Sequence, residues 1–150
     1  MITIIKGLLF AFLLVYATVT DIKRREIDNW VCVAVLVISL IGTGGSFMGA
    51  MITMLPFLIP ALIKGGNATG GSPVGGGDVK LMFACGAVLG VWGGLLQTVI
   101  ALSFAALFAI GILFKKGLKA CKKTAIPLAP FLCAGGILSF IFTNMGGILL

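Results

Sequence analysis

Only four carboxylates occur in the 150 residues, Asp21, Glu26, Asp28 and Asp78, and there is no histidine. A Ser-His-Asp triad, a Cys-His nucleophile and a histidine-ligated metal are thereby excluded. The four cysteines, Cys32, Cys85, Cys121 and Cys133, include no C-x-x-C pair. They suggest neither a zinc knuckle nor a disulfide framework, and three of them lie in apolar runs as small packing residues. No metal and no cofactor is expected, so acid–base chemistry falls to the carboxylates. Asp21 stands in Thr20-Asp21-Ile22-Lys23-Arg24-Arg25-Glu26-Ile27-Asp28-Asn29-Trp30, and Asp78 in Gly75-Gly76-Gly77-Asp78-Val79-Lys80. Each sits where an apolar run meets a polar stretch, a depth at which an ionisable group is costly and marks function by default. A purely structural reading is also open, with Asp78 capping a helix and Asp21 one charge in a solvated loop. The glycines before Asp78 favour the functional one, because they let the backbone approach another segment closely. Two carboxylates held together share one proton, since like charges a few Å apart do not both ionise cheaply. One then activates water and the other protonates the carbonyl or leaving amine, which hydrolyses an amide without metal or imidazole.

The elements that must position such a pair are membrane helices. The chain is 60% hydrophobic with a mean hydropathy of +1.23 and only 10% charged, against roughly 25% in soluble domains. One domain of six apolar segments is expected: Ile2–Thr20, Trp30–Ile41, Phe47–Ile63, Val79–Trp92, Gly94–Phe114 and Ile126–Phe142. Glycine-rich breaks at Gly42-Thr43-Gly44-Gly45 and Gly93-Gly94 separate segments 2 from 3 and 4 from 5. The first segment has one basic residue, Lys6, and no small-residue cleavage site, so it reads as a retained helix. Segments 2 and 4, at about 12 and 14 residues, cover roughly 18–21 Å of a 30 Å hydrocarbon core. The loop after segment 1 holds Lys23, Arg24 and Arg25, Lys64 and Lys80 bound the loop after segment 3, and that after segment 5 holds Lys115, Lys116, Lys119, Lys122 and Lys123. The loops after segments 2 and 4 hold no basic residue. Basic loops stay cytoplasmic, so the alternation predicts six spans, both termini outside and both aspartates at the cytoplasmic face. Lys6 breaks the pattern and is expected to snorkel to the outer headgroups.

Asp21 with its basic stretch and Glu26-Ile27-Asp28-Asn29-Trp30, followed by Gly75-Gly76-Gly77-Asp78-Val79-Lys80, resembles the type IV prepilin peptidase family. That family is part of the G-x-G-D membrane aspartic proteases, to which presenilin-type enzymes are similar. Ile126-Pro127-Leu128-Ala129-Pro130-Phe131 is similar to the proline-containing start of the family's last helix. The resemblance covers essentially the whole chain and implies an all-α G-x-G-D protease fold. It also implies catalytic aspartates at Asp21 and Asp78, and an active-site loop with Gly75, Gly77 and Lys80. The implied activity is cleavage of a short basic leader, after a glycine, from prepilin-like precursors (Flp-type pilins or archaellin-like proteins) at the cytoplasmic face of the inner membrane. Two departures stand out. The family often has Ile-Pro-Asn where this chain has Ile27-Asp28-Asn29, and the cysteine-bearing region of the bifunctional methyltransferases is missing, so N-methylation is unsupported. The short form resembles the tight-adherence pilus peptidases.

Glu26 and Asp28 are candidate contacts for the basic leader. Within the aspartate pair, the helix dipole favours charge on Asp78 at a helix N-terminus, so Asp21 at a helix C-terminus is expected to hold the shared proton. The lysine clusters read as topology anchors on anionic headgroups. Nucleic-acid binding finds no support in a loop pinned to the membrane without interleaved aromatics. Gly86, Gly90, Gly93 and Gly94 form a ridge suited to close helix packing. Partners are the precursor proteins and the bilayer, with a homo-oligomer or pilus-assembly components as further candidates. The competing class is a small transporter or channel subunit in which Gly65–Gly77 forms a re-entrant element.

Overall fold

The computed structural model describes residues 2–24, 27–41, 45–65, 75–121 and 128–149, and these contain helices and no strand. In order, α1 is Ile2–Arg24, α2 Asn29–Ser39, α3 Phe47–Gly65, α4 Gly76–Cys121 and α5 Ala129–Leu149. Arg25, Glu26, the Gly42–Gly44 break, Lys122, Lys123, Ile126 and Pro127 lie outside the described residues. α1 runs through Asp21 to Arg24 instead of ending at Thr20, because Lys23 and Arg24 suit a helix C-terminus and nothing there breaks the helix.

The expected segments 4 and 5 form one hydrogen-bonded stretch, α4, which nevertheless doubles back on itself. Gly90 has φ of 75°, a conformation that a residue with a Cβ adopts only under strain. A Cβ on Gly94 would fall 3.6 Å from the Cα of Gly86, whereas eight residues of straight helix advance roughly 12 Å. Val79 and Ala101, on opposite sides of Gly90, share one buried cluster. The turn also leaves the Ala87 carbonyl to accept the Ser46 N–H at 3.0 Å. The reversal therefore sits at Gly90 and not at Gly93-Gly94. Its second arm continues past Phe114 to Cys121, which puts Lys115, Lys116 and Lys119 on helix, not in a loop.

α4 is the centre of the fold. α2, α3 and α5 pack on it, and α1 packs on α2 and α5. The expected glycine ridge makes the contacts close. The Thr53 side chain of α3 occupies the space that a Cβ on Gly86 or Gly94 would need. Its Oγ1 donates to the Met82 carbonyl at 3.1 Å. On the opposite side, Gln97 Nε2 donates to the Leu132 carbonyl of α5 at 3.0 Å, and Ser139 Oγ donates to the Gly93 carbonyl. Small residues and interhelical hydrogen bonds join helices where lipid tails remove the hydrophobic drive between them. Between these seams lies an apolar core that includes Phe10, Leu14, Val31, Leu81 and Cys85.

The outside is apolar too, with Leu8, Phe12, Trp92, Leu107 and Phe114 exposed. Ile2–Arg24 and Gly76–Ile112 each contain a stretch long and apolar enough to cross a bilayer. This is a membrane protein. Lys6 departs from the snorkelling expectation. It is buried on the inner stripe of α1, and its Nζ donates to the Ser39 carbonyl at 3.4 Å, at the C-terminus of α2. A cation there complements the exposed carbonyls of a helix end.

Candidate active site

Asp21 owes its position to helical periodicity. The buried face of α1 is Lys6, Phe10, Leu13, Leu14, Ala17 and Asp21, a run of three- and four-residue steps that forms one stripe. The stripe that anchors α1 in the core thus carries the carboxylate inward on its last turn. Asp21 is 8% exposed and Asp78 9%.

Asp78 is placed by the start of α4. Its N–H donates to the Gly75 carbonyl at 3.0 Å, and its carboxylate accepts a backbone hydrogen bond from Gly75. This reciprocal pair closes the first turn as a capping box does. A Cβ on Gly75 would lie 3.3 Å from Asp78 Oδ2, and one on Gly77 would lie 3.0 Å from the Ile27 Cβ. Gly75 therefore leaves room for the carboxylate, and Gly77 for the segment that leads into α2. The capping reading of Asp78 and the functional one are compatible: the bond to Gly75 fixes the side chain whose other oxygen is left for chemistry.

The two aspartates line one cavity of about 230 Å³, together with Ile27, Asn29, Gly75, Gly76 and Gly77. Both carboxyls lie at the polar ends of their helices, in the last turn of α1 and the first turn of α4, and both are harder to ionise than usual. Burial and then the negative charge of Asp21 push Asp78 up to about 6, against the pull of the Gly75 hydrogen bond. Burial raises Asp21 as well, opposed by a backbone hydrogen bond from Ala129. Asp21 Oδ2 is buried with no hydrogen-bond partner among the described residues, so it is an open acceptor.

The expected roles rest on the helix dipole, and the site sets other forces against it. The dipole at the N-terminus of α4 favours an ionised Asp78 by up to about 2 kcal/mol. Burial and then the Asp21 charge oppose it and push Asp78 upward.

Of the other expected site residues, Lys80 is not among the residues that line the cavity but is bonded to Asn29, which is. It is exposed on α4, and its Nζ donates to Asn29 Oδ1 at 2.9 Å, which ties the first residue of α2 to α4. Asp28 is half-buried at the N-cap of α2, makes no side-chain capping bond and does not line the cavity. Glu26 lies outside the described residues. Sequence reasoning passed over Asn29, whose place beside Ile27 and Asp28 in the same polar stretch was the available signal. It also missed the Ala129 backbone, which left no side-chain signal to read.

The family model described as the type IV leader peptidase family matches residues 8–115, a range that contains both aspartates and the Gly75–Lys80 element. No curated protein and no solved structure gives a significant match to the chain.

Proposed function

The chain belongs to the type IV leader peptidase family, and we propose that it is a membrane aspartic endopeptidase that removes a short basic leader from prepilin-like precursors. One observation carries the reading: Asp21 from the end of α1 and Asp78 from the start of α4 line a single cavity, each with its carboxyl held towards the protonated form. In this reading, ionised Asp21 takes a proton from a water as the water oxygen attacks the scissile carbonyl carbon. Asp78 gives its proton to the carbonyl oxygen. The tetrahedral intermediate collapses, the C–N bond breaks, and the proton held on Asp21 goes to the leaving amine. The products are a carboxyl and an amine, and ionised Asp78 regains the pair's single proton from the intermediate's hydroxyl as that oxygen re-forms the carbonyl. Asp28 and Glu26 would serve as electrostatic contacts for leader lysines and arginines.

The topology we propose places both termini outside and six helical segments across the inner membrane, with the two arms of α4 as the fourth and fifth. The charge alternation of the loops supports it and sets the aspartates at the cytoplasmic face, where a basic leader stays before export. The test is cleavage by the purified protein in proteoliposomes of a synthetic precursor, made of a lysine-containing leader ending in glycine joined to a 20-residue apolar helix. Leader release by wild type, and none by Asp21→Asn or by Asp78→Asn, is the expected result. Release that survives either substitution removes the aspartic mechanism.

A further inference from the structure

A second space opens beside the aspartate cavity. Among the described residues the backbones of α2 and α3 do not approach each other, and each packs instead on α4. The gap between them is a trough floored by Val79, Phe83 and Ala87 of the first α4 arm. It consists of two cavities, of about 540 and 320 Å³, which share Val33, Leu36 and Phe83 and so run into one another. The larger also shares Asn29 and Gly76 with the cavity that holds Asp21 and Asp78. The trough therefore adjoins the aspartate cavity at Asn29 and Gly76, where the Lys80–Asn29 bond lies, and follows α2 from Asn29 to Leu40, a length of roughly 17 Å at the helical rise per residue.

What fills it is constrained by chemistry. The walls are mostly apolar, from Val33, Leu36 and Val37 on one side to Met54 and Leu58 on the other, with Asn29 and Lys80 at the end near the aspartates, and Val33 and Val37 are exposed. In hydrocarbon, a peptide must satisfy its own backbone, so a chain lying here is helical. An acyl chain would fit the same walls, but the continuity with the aspartate cavity selects a peptide. A substrate with its scissile bond at Asp21 and Asp78 has two directions in which to leave. A basic leader takes the polar cytoplasmic mouth, and the chain on the other side of the bond enters the trough. The far end of the trough carries Gly45, Ala50 and Ala87, where small side chains permit close helix approach.

We propose that the trough between α2 and α3 is the docking site for the apolar helix that follows the cleaved bond, and that it engages about the first eleven residues of that helix. This rests on the leader-peptidase reading of the aspartate pair. The enzyme then selects its substrate by an apolar helix face as well as by the leader, and holds the mature product in the bilayer after the leader has gone.

The test uses the full chain in proteoliposomes with the synthetic precursor above. A photoreactive benzoylphenylalanine replaces Val33 or Leu58 in the trough, or Leu8 on the exposed face of α1. Capture of the substrate helix, within its first eleven residues, from Val33 and Leu58 but not from Leu8 is expected. Equal capture from all three positions, or capture of lipid alone, overturns the docking site. In parallel, Val33→Trp should raise KM for the precursor about tenfold, equivalent to 1.4 kcal/mol of binding. Cleavage of a short peptide that spans the scissile bond without the helix should stay within a factor of two. An equal loss on both substrates overturns the proposal. Trough capture without cleavage by wild type would keep the docking site and sink the peptidase, whereas cleavage without trough capture would do the opposite.

Discussion

Asp78→Asn should stabilise the protein at neutral pH while it abolishes cleavage. The Asp78 carboxyl titrates at about 6 in the folded protein against 3.8 ordinarily. A carboxyl raised in this way binds its proton more tightly folded than unfolded. Between pH 3.8 and 6 the folded state therefore holds more protons, and stability falls as pH rises through that window. Above it, the ionised carboxylate costs the fold about 3 kcal/mol, since each unit is worth 1.36 kcal/mol. Asparagine keeps the shape and an acceptor oxygen for the Gly75 N–H but carries no charge. At pH 7.5 it should recover most of that cost, and at pH 4, where Asp78 is already protonated, almost none. Thermal unfolding in detergent across pH 4–8 measures this directly. Wild type should lose stability from pH 4 to 7 and then level off, with the Asn variant much flatter because the Asp78 contribution is gone. A wild type that gains stability over that range, or an Asn variant no more stable than wild type at pH 7.5, would refute the reasoning.

Asp21→Asn removes the second cause of the Asp78 shift, so infrared titration of Asp78 should show its pKa falling from about 6 while staying above 3.8, the part owed to burial. Cleavage by wild type should decline as pH rises past about 6, because the shared proton leaves the pair as a coupled unit; a rate still climbing at pH 8 would contradict this. Gly77→Ala places a Cβ 3.0 Å from Ile27 Cβ and should cost about 1–3 kcal/mol in thermal stability and lower kcat/KM, as the approach to α2 is pushed off the cavity. Gly90 has open space around it, so Gly90→Ala pays only for its positive φ, about 1–2 kcal/mol, and Gly90→Asn should cost less than Gly90→Val.

The parts of the fold legible from sequence were those set by composition and spacing. Apolar runs located every helix, and a glycine break announced the reversal within α4. Its site was misread because Gly90, Gly93 and Gly94 are chemically alike in the sequence. Only the structure shows that Gly93 and Gly94 are spent on packing against Ser139, Thr143 and Thr53, while Gly90 alone takes the positive φ. Lys6 was misread for a related reason. A lone lysine four residues inside α1 looks like a headgroup anchor until α2 ends beside it and presents the Ser39 carbonyl. The small and apolar residues of the trough gave no signal, because nothing local distinguishes a wall that faces a neighbour from one that faces a gap.

The aspartates show most clearly where local reasoning stops. Motif and charge parity predicted that Asp21 and Asp78 would meet, and they line one cavity. Which of them holds the proton could not be read the same way. The dipole of α4 is a property of the chain around Asp78 and is visible in sequence, but its effect is limited to about 2 kcal/mol. The opposing cost comes from what tertiary packing brings: exclusion of water around Asp78 and the charge of Asp21, fifty-seven positions away in the chain. Asp21 is relieved by the Ala129 backbone from the far end of the protein, which no side-chain pattern announces. A dyad with one carboxyl held by its own helix start and the other by a distant backbone N–H is asymmetric by construction. That asymmetry lets one acid keep a proton while the other stays a base, which two carboxylates in identical settings would not sort out on their own.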